Sequence, residues 1–350
     1  MTSTTVAVPA AVSRLRELAL SAAWAASVRA AAKLKLADAI GDEPSTVEDL
    51  AAAVRADPEA LRRLLRVLTC HGIFAETGDG RFAHTDTSML LREDAPRSLR
   101  YTSLWATEPW TWELWPHLDE AVRSGENVFA GLYGKAFFEY LHTDAPESAQ
   151  VFDRAMSQAS QLAARAIADT LDLTDVATVA DIAGGQGQVL ITLLERKPTL
   201  RGVLLELPSV VSNSDPRLWP DGEFGPRVQL VAGDCRREVP VRADLYILKN
   251  VLEWDDESTV TTLHNVAAAG RPGARVVVIE NFVDDSPETK FTTAMDLLLL
   301  LNVGGKKHTR DGILSLIVQA GLIVQNVSPL NSYLHMITSM ISPSVSVPKH

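Results

Sequence analysis

Through the first 170 residues apolar side chains recur three and four positions apart, the period of helices with one buried face. Beyond residue 171 they gather into short continuous runs separated by helical segments. That change of texture predicts a mainly helical N-terminal part followed by an α/β domain with a mostly parallel sheet. Strands are expected at Thr178–Ile182, Gly202–Glu206, Val228–Ala232, Ala243–Lys249 and Arg275–Glu280. Ile323–Pro329 and Leu334–Ser342 would add a closing antiparallel pair, and a helix over Val189–Arg196 follows the first strand.

Within residues 45–92, Ser45 is expected to cap a helix beginning at Val47, with Glu48 completing a capping box. Asp57 caps Pro58–Leu68, and Gly72 ends that helix. Ile73–Ala75 and Arg81–Ala83 then flank the turn Thr77-Gly78-Asp79-Gly80, so two helices and a hairpin make a winged helix. Leu18 to Val28 imitates the apolar stretch of a secretory signal, but its pattern continues through Ala31, Leu34, Leu36 and Ile40 among Arg29, Lys33 and Lys35. It is read as an amphipathic helix. Tyr101, Trp105, Trp112 and Trp115, spaced by four, seven and three, are expected on one helix face, as packed core or as the wall of a pocket for a flat substrate. Phe152 and Met156 lie one turn apart on a further helix, entered through Ala145-Pro146-Glu147.

Composition narrows the possibilities. A chain of 350 residues, 46% hydrophobic and 22% charged, can bury a full core and suggests two domains. Its formal charge of −11 argues against nucleic acid as a partner, and Arg62, Arg63 and Arg66 on the second winged-helix helix are read as a solvated face or subunit contact. Two cysteines, Cys70 and Cys235, are too few for a disulfide framework and point to the cytoplasm. The run Leu297–Leu301 is far short of the ~20 residues that cross a bilayer, so no membrane is expected. None of the eight histidines has metal-ligand spacing, and no metal is expected. His142 and His264 are read as solvated.

The strongest chemical signal is Asp181-Ile182-Ala183-Gly184-Gly185-Gln186-Gly187, which ends a strand and enters a helix, so backbone must approach a ligand closely there. Gly185 and Gly187 supply two glycines of a dinucleotide fingerprint, but Leu190 stands at the third position, which weakens that reading. Glu206 ends the second strand, 19 residues beyond Gly187, where a carboxylate can accept from ribose hydroxyls; Asp234 follows the third strand, in reach of an adenine edge. Two acids and a phosphate-poor loop suit a nucleoside without phosphates.

With these motifs in order the chain resembles the small-molecule S-adenosylmethionine-dependent O-methyltransferases that include plant phenolic and bacterial polyketide enzymes. The resemblance covers nearly the whole length and rests also on Glu206-Leu207-Pro208, Gly233-Asp234, Leu248-Lys249, Trp254-Asp255-Asp256-Glu257, Ile279-Glu280 and Gly304-Gly305-Lys306. It implies a Rossmann-like catalytic domain over residues 171–342, a winged-helix dimerisation domain over 1–95, and a helical connecting region over 96–170 that lines the substrate pocket. Residues 343–350 are read as a loose tail. It further implies a homodimer, S-adenosylmethionine as donor with S-adenosylhomocysteine as product, and Asp181, Gly184, Gly185, Glu206, Asp234, Cys235 and Lys249 at the donor. Trp105, Phe152, Met156, Met295, Asp296 and Asn302 become candidates for the acceptor.

The family's Val-Leu-His-Asp-Trp segment reads here Val251-Leu252-Glu253-Trp254, one residue shorter, so the usual catalytic His is replaced by Glu253. Lys307 stands where an acid follows Gly-Gly-Lys, Glu280 remains at the position of an acid flanking the His, and Ala183 replaces a loop glycine. Methyl transfer is an in-line displacement at an already activated carbon, so alignment supplies much of the acceleration and Glu253 need only orient an acidic hydroxyl or take its proton. Glu253 and Lys307 are expected either to pair in the cleft or to face solvent independently, and His308 is the candidate substitute base. Three functions follow: methylation of a hydroxyl on a small aromatic natural product, a relative with a different reaction such as hydroxylation or cyclisation, and a ligand-sensing winged-helix regulator.

Overall fold

The computed structural model describes residues 9–286, 288–331 and 333–343, and the chain divides after Pro109 into two compact units. The division falls within the stretch 96–170, beyond residue 95. Residues 344–350, read as a tail, lie outside the described residues.

In the first unit the expected single helix over Leu18–Ile40 is broken into α1 (Ala10–Ala19), α2 (Ser21–Leu34) and one turn at Leu36–Ala39. The second break falls at Lys35, whose backbone is left-handed (φ 56°) and cannot continue a right-handed helix. α3 (Val47–Val54) is capped by Thr46, whose hydroxyl accepts from the Asp49 amide, and not by Ser45 with Glu48. Ser45 is held extended instead, exchanging two backbone hydrogen bonds with Phe82. Asp57 caps α4 (Pro58–Cys70) as expected, accepting from the Ala60 N–H at 2.8 Å. β1 (Phe74–Glu76) and β2 (Phe82–His84) pair antiparallel, and Leu50, Leu65, Leu68, Phe74 and Phe82 close one core beneath the two helices. This is the expected winged-helix arrangement.

The four spaced aromatics do not share a helix. Tyr101 and Trp105 lie on Arg100–Trp105, Trp112 on Pro109–Leu114, and Trp115 in a following single turn. Pro109 has no N–H and disfavours helical backbone in the residue before it, which interrupts the pattern.

The second unit enters its sheet through α5 (Pro146–Thr170), which starts on a proline tolerated in the first turn. β3 (Thr178–Ile182), β4 (Arg201–Glu206), β5 (Val228–Ala232), β6 (Leu245–Lys249) and β7 (Arg275–Glu280) are parallel. β8 (Leu322–Pro329) and β9 (His335–Ile341) close the sheet antiparallel, giving the order β5-β4-β3-β6-β7-β9-β8. Alternate strand residues feed two cores: Ala180, Val203, Tyr246 and Val276 on one face, Val179, Leu204, Ile247 and Val277 on the other. Both faces are therefore buried, which is why the strands read as continuous apolar runs rather than alternating ones. Four helices that bear on the site are α6 (Gln188–Arg196), α7 (Asp256–Ala269), α8 (Thr289–Val303) and α9 (Arg310–Gln319). Among the described residues no helix is long and apolar enough to cross a membrane.

Candidate active site

From β3 the chain runs outward through β4 to β5, then returns to lay β6 on the other side of β3. Open α/β sheets take ligands at such a switch point, outside the carboxyl ends of the strands. Asp181 is buried there near the end of β3, and its Oδ2 has no hydrogen-bond partner among the described residues. A Cβ on Gly184 would collide with that carboxylate, so glycine is what lets the loop fold onto the acid. Gly185, at φ 60°, donates its N–H to Glu206 Oε1 (3.0 Å), and a Cβ placed on it would meet nothing within 4 Å. Glu206 Oε2 accepts from the Leu207 N–H at 2.7 Å. Burial penalises both anions, pushing Asp181 up to about 6 and Glu206 up to about 7. Ala183 adopts the left-handed conformation (φ 51°) that a glycine would take without strain.

α5 lies against this loop. Ser157 Oγ donates to Gln186 Oε1 (2.9 Å), Lys249 Nζ donates to Ser160 Oγ (3.3 Å), and Gln161 Nε2 donates to Gln188 Oε1 (3.4 Å). The sequence reading missed Ser157, Ser160 and Gln161, although the three- and four-residue spacing that grouped Phe152 with Met156 also places these three on one stripe. Burial depresses the Lys249 ammonium below its ordinary pKa, opposed by the nearby Glu280 and Asp181. Asp234 follows β5 as expected, but its carboxylate is held bidentately by Arg236 (3.1 and 2.9 Å), whose guanidinium carbon stands 5.3 Å from the Trp254 ring centre. Cys235 is buried, its carbonyl accepts from Asn265 Nδ2 (3.0 Å), and burial pushes its thiol up to about 12, the state of a packed thiol rather than a nucleophile.

The catalytic candidates gather at the ends of β6 and β7. A Cβ on Gly305 would collide with the Glu253 carbonyl; its absence lets the Gly304-Gly305-Lys306 loop close onto that segment, where the Lys306 N–H donates to the Glu253 carbonyl (3.2 Å). Lys307 Nζ is thereby brought into a direct ion pair with Glu253, donates to Asn281 Oδ1 (2.6 Å), and stands 3.9 Å from Glu280. Of the two expectations for Glu253 and Lys307, the pair is the one found. Asp296 Oδ1 accepts from the Lys307 N–H (2.6 Å), and Glu280 Oε1 accepts from the Val251 and Leu252 N–H groups (3.0 and 3.2 Å). Burial opposes the charge of Lys307, but Glu253 and Glu280 outweigh it and hold the ammonium above its ordinary pKa; burial pushes Glu280 up to about 7. The space these groups enclose does not admit a water molecule. His308 is also buried, but its ring faces α7, with Nε2 3.4 Å from Thr259 Oγ1 and Nδ1 3.6 Å from Asp256. Burial and then Lys306 lower its pKa. Asn281 was not anticipated, since a lone amide after a buried strand carries no periodic signal.

Among the acceptor candidates, Phe152 packs edge-on against Phe137 and Phe138, each with ring centres 6.0 Å away, beside a group that includes Trp110 and Phe129. Met156 on α5, and Met295 and Asp296 on α8, are half-buried. Asn302 is buried near the end of α8, and its Oδ1 has no partner among the described residues. Trp105 is buried within the first unit. No group of three His, Cys, Asp or Glu among the described residues could hold a metal ion.

A winged-helix unit followed by a Rossmann-like sheet with this loop and these acids defines an S-adenosylmethionine-dependent O-methyltransferase, and the chain belongs to that family. The model of the O-methyltransferase domain matches residues 115–323, and that of the O-methyltransferase dimerisation domain matches residues 17–94. The chain is 34% identical over 313 residues to mitomycin biosynthesis 6-O-methyltransferase of Streptomyces lavendulae, covering 89% of each. It is 35% identical over 303 residues to aclacinomycin 10-hydroxylase RdmB of Streptomyces purpurascens, covering 85% of this chain and 80% of that protein. In structure it is similar, with a TM-score of 0.76 and 32% identity over 93% of this chain and 98% of the other, to an O-methyltransferase from neocarzinostatin biosynthesis in complex with S-adenosylhomocysteine and 1,4-dihydroxy-2-naphthoic acid.

Proposed function

We propose that this chain transfers a methyl group from S-adenosylmethionine to a hydroxyl of a small aromatic natural product, by alignment and without a free general base. The carrying observation is the engagement of Glu253 by Lys307, at the place where the family holds its proton-accepting His. Glu280 is bound by two backbone amides and His308 faces α7, so neither offers a free base beside the pair. The residues fit a nucleoside donor: Asp181 keeps a buried, unpartnered oxygen, Gly184 leaves no room for a side chain, and Gly185 has an open side. Asp181, Gly184, Gly185, Glu206, Asp234, Cys235 and Lys249 would hold it, with Glu206 at the ribose. When bound, the donor supplies a methyl group on a positively charged sulfur, already activated for displacement. Lys307 fixes the Glu253 carboxylate, and an acceptor hydroxyl acidic enough to ionise in water then needs only binding and orientation.

The Phe152–Phe137–Phe138 cluster supports an aromatic acceptor, as does the naphthoic acid in the related structure, with Met156, Met295, Asp296 and Asn302 as further lining. The dimerisation-domain match and the exposed Leu15 and Leu18 of α1, with Leu20 at its end, support a homodimer. In calorimetry Glu206→Ala should weaken donor affinity at least about tenfold, because two ribose hydrogen bonds to a charged group are lost; unchanged affinity would remove Glu206 from the site. A mass-spectrometric screen of phenols should find a product heavier by one methylene.

The same engagement of Glu253 favours a second reading, in which the donor is kept for its charge while the chain runs a hydroxylation or cyclisation; the similarity to a 10-hydroxylase points the same way. Release of S-adenosylhomocysteine in step with product decides for methyl transfer, and product without it decides for the alternative.

A further inference from the structure

We infer that Asp153 is a donor-binding residue that receives the α-ammonium group of the methionine tail, an assignment that rests on the reading of the crevice above. Asp153 precedes Ser157 by four residues and Ser160 by seven on the uninterrupted helix α5, so it extends by one turn the stripe that bonds to Gln186 and Lys249. Phe152 and Met156 form the neighbouring stripe, which places Asp153 between the residues proposed for the acceptor and those at the glycine loop. Its side chain is half-buried and has no hydrogen-bond or ion-pair partner among the described residues. Burial raises its pKa, His142 opposes this, and its charge in turn raises Glu206 further.

The second observation is Asp181, 1% exposed, with Oδ2 unpartnered beneath Gly184. Asp153 and Asp181 thus both bear on Glu206, the Lys249 ammonium stands near Asp181, and partly buried negative charge left uncompensated is costly. A cationic ligand relieves that cost. The donor carries two cationic centres, and chemistry separates them. The sulfonium charge disappears during transfer, so a carboxylate set against it would stabilise the ground state more than the transition state and slow the reaction. The ammonium keeps its charge throughout, and a carboxylate there adds affinity without that penalty.

Calorimetry with S-adenosylmethionine, S-adenosylhomocysteine and 5′-methylthioadenosine, which lacks the amino-acid tail, tests the assignment. Asp153→Asn is nearly isosteric, and a thermal melt checks its fold. The expected result is a fall of about 10- to 100-fold in affinity for the first two ligands, alike for both, with the third held within about twofold. Unchanged S-adenosylhomocysteine affinity overturns the assignment, as does a loss confined to S-adenosylmethionine, which would put Asp153 at the sulfur. Equal losses for all three would show a structural role and overturn it too. Failure of the unaltered protein to bind any of the three would sink the donor site itself, a different result from any of these.

Discussion

At the scale of the residue the pair of Glu253 and Lys307 is asymmetric. Lys307 is the more buried partner, and it faces two carboxylates and one amide oxygen, whereas Glu253 is partly exposed and faces one ammonium. Removing the cation leaves Glu253 and the buried Glu280 without the ammonium they share, and the two carboxylates repel one another. Removing the Glu253 charge still leaves Lys307 with Glu280 and Asn281. Lys307→Met should therefore cost about 3–5 kcal/mol, the range for breaking a buried pair from one side, and Glu253→Gln about 1–2 kcal/mol. Urea denaturation of the two variants measures the difference; equal costs would mean that Glu280 does not share the lysine. In the sequence this pairing was one of two open expectations, because Glu253 and Lys307 lie 54 positions apart and nothing periodic joins them. Gly305 is the residue whose missing side chain brings them together, and its role follows only from knowing what it must pass.

At the scale of the element, most of the second unit was legible, since buried parallel strands and their crossover helices write their period directly into the chain. β3, β5 and β7 begin and end where expected. What failed were boundaries set by contacts rather than by period. Ser45 gave up its cap to pair with Phe82, Lys35 broke a helix whose apolar spacing continued, and Pro109 divided the aromatic series. At the site the acids at strand ends were legible because topology alone locates them, whereas Asn281 and the Arg236 clamp on Asp234 were not. The turn from β3 into α6 carries a cost in one residue: Ala183 sits at φ 51°, where its Cβ crowds the following carbonyl. Ala183→Gly should stabilise the protein by about 1 kcal/mol, since relief of that strain outweighs the extra freedom of glycine in the unfolded chain. A thermal midpoint higher by about 2 °C would show it, and a lower one would mean that the strain is already absorbed by the hydrogen bond from the Ala183 N–H to Leu205.

At the scale of the whole molecule, an acidic chain of net charge −11 concentrates buried carboxylates around the ends of its central strands, and this couples stability, pH and ligand. Asp181 at about 6 and Glu206 and Glu280 at about 7 all keep their protons to higher pH than the ordinary 3.8 and 4.5, because burial penalises the anions. Across that interval the folded state holds more protons than the unfolded one, so these groups make the protein less stable as pH rises through it. His308 and His335, lowered by burial, act in the opposite sense over part of the same range, so a single melting curve against pH mixes the two. A difference isolates Glu206. Glu206→Gln removes one titrating group and leaves the histidines alone, so its advantage over the unaltered protein should be small near pH 5 and grow to the order of 1–3 kcal/mol near pH 8. If Glu206 grips the ribose as proposed, S-adenosylhomocysteine should reverse that ranking, because ribose hydroxyls would bind the ionised carboxylate: the unaltered protein should gain more from the ligand at pH 8 than at pH 5.5, and Glu206→Gln should gain little at either. Thermal shifts of both proteins at the two pH values, with and without ligand, give all the terms. A ligand-induced shift independent of pH in the unaltered protein would mean that the group raised by burial is not the one that grips the sugar.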